Sequence, residues 1–451
     1  MNIDVLRIAL GDQRVGQLFR FQPETAEPIL RFVADEAFER LPLAQAQVLS
    51  IGMRAADADT QRAVWRDIQA PHFNARRVPR PGGGADWQLP AWFQGLLPEG
   101  VFRDFVARAA GCAPDDHFRM LAACGKDLPG KVSAVWETVE HAGLQRLVTQ
   151  DQDALEMNVT ADPVQDAISL SGVQPKLAVV REGDRYVGRT KLQDTHVIAK
   201  LPAADHARMP QVEHLSLTLA QVAGVATCAH ALEPLDRLLA VHDYDLGDEA
   251  QPHFLAVERF DRSPAGRIHV ETMAQVFDVP PAFKYTRSYL EVAALLLRLP
   301  LCGEAAVHEL LRRLAVNELL GNFDAHLANW GLIYRNGIDP ELSPAYDIVA
   351  HAAWLGAGSG GHALRILPEA AAGGVPQPQS ILRPATVRRF CDLLRLPVTP
   401  AATVVRRTAA AAHRLWPALI TASGLTPRQK QALSARLAAA PGGAQGRPRT
   451  A

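Results

Sequence analysis

A basic surplus is missing from this 451-residue chain: 47 Lys and Arg stand against 48 Asp and Glu, a formal net charge of −1. Gripping nucleic acid through phosphates alone needs such a surplus, so the composition points away from that class. Cysteine is scarce as well. Five scattered residues (Cys112, Cys124, Cys228, Cys302 and Cys391) offer no Cys-x-x-Cys spacing. That excludes a disulfide framework or a thiolate zinc site as the organising feature and suits a reducing compartment. Long apolar runs are lacking too. The longest, around Val292–Leu301, is broken by Arg298 and Pro300 and is too short to span a bilayer. Asp4 and Arg7 interrupt the apolar residues of MNIDVLRIALGD, which reads as neither signal peptide nor anchor. The expectation is a soluble, cytoplasmic protein with no membrane partner. Lysine is rare, seven against 40 arginines, so a lysine in an apolar strand asks for a reason.

What is present is an ordinary globular balance, 48% hydrophobic and 21% charged, enough to bury a sizeable core. The length predicts two or three domains. Residues 1–165 mix strand-like and helix-like segments and read as an accessory domain. Leu6–Leu10 and Val15–Phe21 flank Gly11-Asp12-Gln13-Arg14 as a hairpin, and Pro79–Ala85 (PRPGGGA) is a loop. Residues 166–262 read as a small α+β lobe. Its strands are Ile168–Leu170, Leu177–Arg181, Tyr186–Gly188, Thr195–Leu201 and Phe254–Phe260. Its helix carries Val212, Leu215, Leu219 and Val222 and stops at Gly224. Residues 263–437 read as helical, with an amphipathic helix through Val307, Leu311 and Leu314 ending at Gly321. The tail, 438–451, is Gly-, Pro- and Arg-rich and is expected to be disordered.

Three segments carry chemistry. Ser169-Leu170-Ser171-Gly172-Val173-Gln174-Pro175-Lys176 lies between two strands, and its small residues suit backbone N–H groups turned toward an anion. Gly-x-Gly-x-x-Gly is absent, and taken alone the segment reads better as a tight strand connection. In THVIAKL, Val197, Ala199 and Leu201 share one face and His196, Ile198 and Lys200 the other. Lys200 could neutralise nucleotide phosphates, held by Glu213 on the next helix; a lysine snorkelling from a sheet edge is the bland reading. The strongest segment is Asn322-Phe323-Asp324-Ala325-His326-Leu327-Ala328-Asn329, just past a helix end. Phosphoryl transfer to a hydroxyl needs a carboxylate to accept a proton and oxygen ligands for Mg²⁺. Asp324 and Asn329 match the Asp-x-x-x-x-Asn spacing of the protein-kinase loop, and Asp347 in Tyr346-Asp347-Ile348 supplies a second metal carboxylate. A rival set, Asp324, His326, Asp347 and His351, could instead hold a transition metal.

Taken in order, SLSGVQPK, THVIAKL, VEHL, VERFDR, ETMAQVF, NFDAHLANW and LSPAYDI closely resemble the HipA family of bacterial serine/threonine kinases, the toxin halves of toxin–antitoxin pairs. Gly95–Gly100 (GLLPEG) resembles the family's N-terminal motif, so the likeness runs over about residues 3–435. It implies an α+β, two-lobed protein-kinase-like fold with an α+β N-terminal subdomain and an all-helical C-terminal lobe. By position, Asp324 is implied as catalytic base, with His326 beside it and Gln275 near the centre. Asn329 and Asp347 would bind Mg²⁺. Lys200, paired with Glu213, would contact the ATP phosphates under a loop of Ser171, Gly172, Val173, Gln174, Pro175 and Lys176. Glu258, Arg259 and Phe260 would hold adenine, with Tyr346 on the nucleotide side. Ser169 and Ser171 align with loop serines that family members autophosphorylate. The implied partners are a HipB-like helix-turn-helix antitoxin and a protein substrate such as an aminoacyl-tRNA synthetase, with DNA reached only through the antitoxin. The segment between Lys200 and Glu213 is short, and Pro175 stands where several relatives have an acidic residue. Two rivals share the fold: a small-molecule kinase and a non-catalytic antitoxin-binding co-repressor.

Overall fold

Period-two burial in the first residues forms the hairpin that the sequence predicts. Ile3–Leu10 pairs antiparallel with Gln13–Phe21, and Gly11, at a φ of +60°, makes a turn that strains any side chain with a Cβ. The strands run closer to the turn than expected, because Gln13 and Arg14 still pair with Leu10 and Ala9. The computed structural model describes residues 3–21, 29–67, 69–79, 85–138, 174–188, 194–240, 244–247, 249, 252–358, 361–368 and 379–441. They divide into two units, neither of them a single continuous segment.

The first unit comprises 1–173, 261–284 and 331–340. Its sheet has the order Ile29–Ala34, Gln13–Phe21, Ile3–Leu10, Val132–Trp136. Inward residues such as Leu6, Ile8, Leu18 and Phe32 pack on Trp92, Phe93 and Phe118. Two segments assigned by sequence to the helical region belong here instead: His269–Thr272 pairs antiparallel with Gly331–Tyr334. The described residues of 263–437 are mostly helical, as the sequence predicts, with these strands among the helices. Glu271 explains the placement, since its buried carboxylate accepts from Ile51 N at 2.9 Å, Trp92 Nε1 at 3.1 Å and the Tyr334 hydroxyl. A buried charge without those donors would be costly, which ties the strand to this core.

His269, two residues away, is 2% exposed and bonds Leu49 O at 2.9 Å through Nε2. Burial pushes its imidazole down from the usual 6.5 to about 4. The unfolded chain therefore binds a proton that the folded one refuses between these values, and stability falls as pH drops through that window. The expected loss is roughly 2–4 kcal/mol by pH 4. Denaturant titrations at pH 7 and pH 4.5 check this: His269→Gln should flatten the slope, and an unchanged slope would contradict it.

The second unit comprises 174–260, 285–330 and 341–451. An antiparallel five-stranded sheet has the order His230–Pro234, His253–Glu258, Val197–Lys200, Lys176–Glu182, Arg185–Gly188. Val197–Lys200 is the central strand, so Lys200 is not on an edge. The helix Met209–Val222 packs beside this sheet, burying Val212, Leu215 and Leu219. Gly303–Leu320 ends where Gly321 takes the left-handed conformation at φ +67°, the expected stop. Helices Pro384–Leu394, Val398–Ala422 and Pro427–Ala439 complete the unit. The proposed strand Ile168–Leu170 and the tail beyond residue 441 lie outside the described residues. No helix among those described is long and apolar enough to cross a membrane.

Candidate phosphotransfer site

Strand alternation does the first work. Val197 and Ala199 point into the small core behind the sheet, which leaves Lys200 on the opposite face with only 11% of its side chain exposed. Its ammonium meets Glu213 Oε1 at 2.5 Å and also donates to Asp347 Oδ1. Burial works against that charge, yet Asp347 and Glu213 together hold the ammonium above the usual lysine range. The two carboxylates differ. Burial lifts the Glu213 carboxyl above its ordinary value despite Lys200, because its side chain is 1% exposed. Burial also opposes the charge on Asp347, but Lys200 and then Lys176 hold its carboxyl below the usual range. Its side chain stays 38% open to solvent.

Lys176 sits directly opposite Lys200 in the antiparallel register, so the two side chains share a face. Beside it, Gln174 Nε2 donates to Leu201 O at 3.2 Å, and Leu201 N donates to Pro175 O at 2.7 Å. Ser169, Ser171, Gly172 and Val173 lie outside the described residues.

The Asp324–Asn329 loop follows the helix stop at Gly321. Asn322 anchors it, its Nδ2 donating to Asn317 Oδ1 at 3.0 Å. Asn329 Nδ2 donates to Asp324 O at 2.7 Å, which leaves the amide oxygen as the group to present. Asn329 and Asp347 line one small cavity with Asn322, Arg313 and Tyr346. Asp347 itself is left-handed, at φ +52°, a conformation that aspartate tolerates better than most residues. His326 is buried, with Nε2 3.8 Å from Asp324 Oδ1. Tyr346 donates to Ala328 O at 2.9 Å and lies 5.7 Å from the Phe260 ring, at the strand end proposed for adenine. There, Glu258 N and Arg259 N already donate to Ala229 O and His196 O, both at 2.9 Å. Arg259 Nη1 reaches Thr195 Oγ1 at 2.9 Å.

Gln275 belongs to the first unit. It forms a capping box with Thr272, and its Nε2 donates to Trp92 O at 3.1 Å. The Thr-x-x-Gln spacing in ETMAQVF was the sequence signal for that role. The rival transition-metal set does not assemble: among the described residues no group of three His, Cys, Asp or Glu side chains is placed to hold a metal ion. His351 stacks on Phe323 at 4.4 Å, and burial pushes it down to about 4. Residues that the sequence reading missed are Tyr285 and Tyr289. Tyr285 donates its hydroxyl to Asp324 Oδ1, and Tyr289 donates to Ala325 O at 2.8 Å. The Ser288-x-x-Glu291 capping box marks the helix start between them, but nothing local says what either tyrosine touches.

Comparison with known proteins agrees over most of the chain. The model of the HipA-like C-terminal domain matches residues 168–416, and that of the HipA N-terminal domain matches residues 6–135. Y4dM of Sinorhizobium fredii, a protein carrying the name of a kinase, is 36% identical over 266 residues, covering 58% of this chain and 62% of its own. Y4mE of the same organism, similarly named, is 27% identical over 286 residues, covering 58% and 64%. The chain thus spans about three fifths of the length of these curated relatives. Among solved structures, HipA of Shewanella oneidensis MR-1, from a complex with HipB and operator DNA, covers 96% of each chain at a TM-score of 0.65 and 18% identity. At that identity the likeness speaks for the fold.

Proposed function

The chain belongs to the HipA family, and from that premise we propose that it is an ATP- and Mg²⁺-dependent protein serine/threonine kinase, the toxin of a toxin–antitoxin pair. One observation carries the reading: Lys200 joins Glu213 to Asp347 in the same unit as the Asp324–Asn329 loop. A phosphate-neutralising lysine, its glutamate, a metal carboxylate and a base–amide loop are the parts that phosphoryl transfer requires.

The donor set fits Mg·ATP. Asp347 offers a solvent-open carboxylate and Asn329 an amide oxygen, hard ligands of the kind Mg²⁺ takes alongside phosphate oxygens. Glu213 Oε2 is buried and has no hydrogen-bond partner among the described residues, so this cluster holds unmet acceptor capacity. When bound, the metal and nucleotide supply the phosphoryl group and screen its charge. The chain's own residues do the rest. Lys200 places a fixed positive charge for the phosphates, and Glu213 keeps it from folding away. Asp324 would orient the acceptor hydroxyl and take its proton as the new oxygen–phosphorus bond forms and the bond to the departing ADP oxygen breaks. Phe260 and Tyr346 offer aromatic surface for adenine.

The likeness to a HipA solved with HipB and operator DNA supports a helix-turn-helix antitoxin as partner. With a net charge of −1, DNA contact would come through it. A translation component such as an aminoacyl-tRNA synthetase is the proposed target, in the cytoplasm. Ser169 or Ser171 is the proposed self-modification site. A phosphate there adds roughly −1.5 to −2 charge where the loop must receive the nucleotide's own phosphates, which would switch the enzyme off. Phosphoproteomics after brief expression of the active protein and of Asp324→Asn tests both claims. New phosphoserine on a cellular protein and on the 169–171 loop, in the active form only, is the expected result. Label confined to metabolites would favour a small-molecule kinase, and no ATP turnover would favour a non-catalytic co-repressor. No loop phosphate in the active form, or equal amounts in both, would sink the switch.

A further inference from the structure

The start of the helix Tyr289–Arg298 grips the catalytic loop at two successive residues. Tyr289, fully buried, donates to Ala325 O at 2.8 Å, an oxygen that also accepts from Trp330 Nε1 at 3.0 Å. Four residues earlier, in the turn before that helix, Tyr285 donates its hydroxyl to Asp324 Oδ1. The Tyr285 ring stands edge-on to buried His326, with centroids 5.0 Å apart and planes at 90°, which fixes the phenol's direction. His326 Nε2 approaches the same oxygen, Oδ1, at 3.8 Å. Among the described residues no group donates to Oδ2. The backbone of Asp324 is held independently, its carbonyl accepting from His326 N at 2.8 Å and from Asn329 Nδ2 at 2.7 Å.

We infer that Tyr285 is the positioning residue of the proposed base: it ties down Oδ1 and the carboxylate plane, so that Oδ2 faces the acceptor hydroxyl. The inference rests on the kinase reading above. A short carboxylate on a loop has two freely rotating bonds, and a base serves only when its lone pair meets the proton in line. A phenol donor on the other oxygen removes that freedom. The tyrosine keeps its own proton throughout, while the acceptor's proton passes to Oδ2 as the acceptor oxygen bonds the γ-phosphorus and the bond to the departing ADP oxygen breaks. An opposite reading has the phenol sitting where the acceptor hydroxyl belongs. The two predict changes of opposite sign.

Tyr285→Phe keeps the ring against His326 and deletes only the hydroxyl. Transfer of label from γ-labelled ATP to casein, a generic serine acceptor, should fall in kcat by about ten- to a hundredfold, the scale of one hydrogen bond to a charged group. The KM for ATP, and Mg·ATP binding by calorimetry, should stay within about twofold. A raised or unchanged kcat overturns the inference, as does a parallel loss of ATP affinity. A second measurement needs no activity: thermal unfolding of wild type, Tyr285→Phe, Asp324→Ala and the double variant. Tyr285→Phe should cost less in the Asp324→Ala background, where no carboxylate oxygen accepts the phenol, than in wild type, and equal costs would show that the contact is not made. An inactive wild type with coupled unfolding would count against the kinase reading itself and not against the contact.

Discussion

Replacing Asp324 by asparagine should abolish phosphotransfer and leave Mg·ATP binding nearly intact, whereas Asp347→Asn should do most of its damage to binding. The two carboxylates are set up for different work. Asp324 is held by its backbone to Asn329 and by one side-chain oxygen to Tyr285, with the other oxygen open. An isosteric amide preserves that shape but cannot accept a proton, so the loss falls on the chemical step, where general-base assistance contributes about 10²–10⁴-fold. Asp347 lies against Lys200, and its carboxyl is held below the ordinary range by Lys200 and then Lys176 despite burial. It therefore stays ionised as a charged oxygen ligand, and asparagine removes the charge that draws in a divalent ion. Calorimetry with Mg·ATP and single-turnover transfer on both variants separates the roles. Asp324→Asn should bind within about twofold of wild type, and Asp347→Asn at least about tenfold more weakly, on the view that each hard-ligand charge contributes strongly to Mg²⁺ binding. Equal loss of binding in both would contradict the assignment.

Lys200→Ala should have the largest effect of any lysine substitution, on nucleotide use and on stability together. Removing the ammonium leaves the Glu213 and Asp347 carboxylates without the cation that lies between them, and Glu213 has almost no access to water. Taking away one partner of a buried ion pair costs about 3–5 kcal/mol, since the remaining charge must neutralise or find water. Glu213 is already inclined toward the protonated form by its burial, so part of that cost falls on proton uptake. Lys176→Ala should be milder. Lys176 shares the face and is felt by Asp347, but it is only partly buried and no ion pair to it stands among the described contacts. Thermal unfolding and ATP titration of the two variants test the order. If Lys176→Ala proves the more damaging on both measures, the phosphate-contacting lysine has been misplaced.

Short-range features were legible in the sequence because they act over a few residues. Alternation in THVIAKL put Lys200 on the face away from the small core, Gly321 stopped its helix, and Asp324 and Asn329 fell on the loop after it. Their spacing matched that of the protein-kinase loop, and the order of the motifs already named the family. Only tertiary structure decided which segments meet. Glu271 drew 261–284 and 331–340 into the first unit, because a buried carboxylate goes where donors converge, and Ile51, Trp92 and Tyr334 lie far apart along the chain. Gln275 went with that segment, its amide closing a capping box. Register, which no single strand contains, set Lys176 opposite Lys200. Tyr285 reached Asp324 across 39 residues because the helix that follows it packs beside the loop. Periodicity and turn chemistry are written locally, residue by residue; contact between distant side chains is settled by burial and hydrogen-bond satisfaction summed over the whole folded chain.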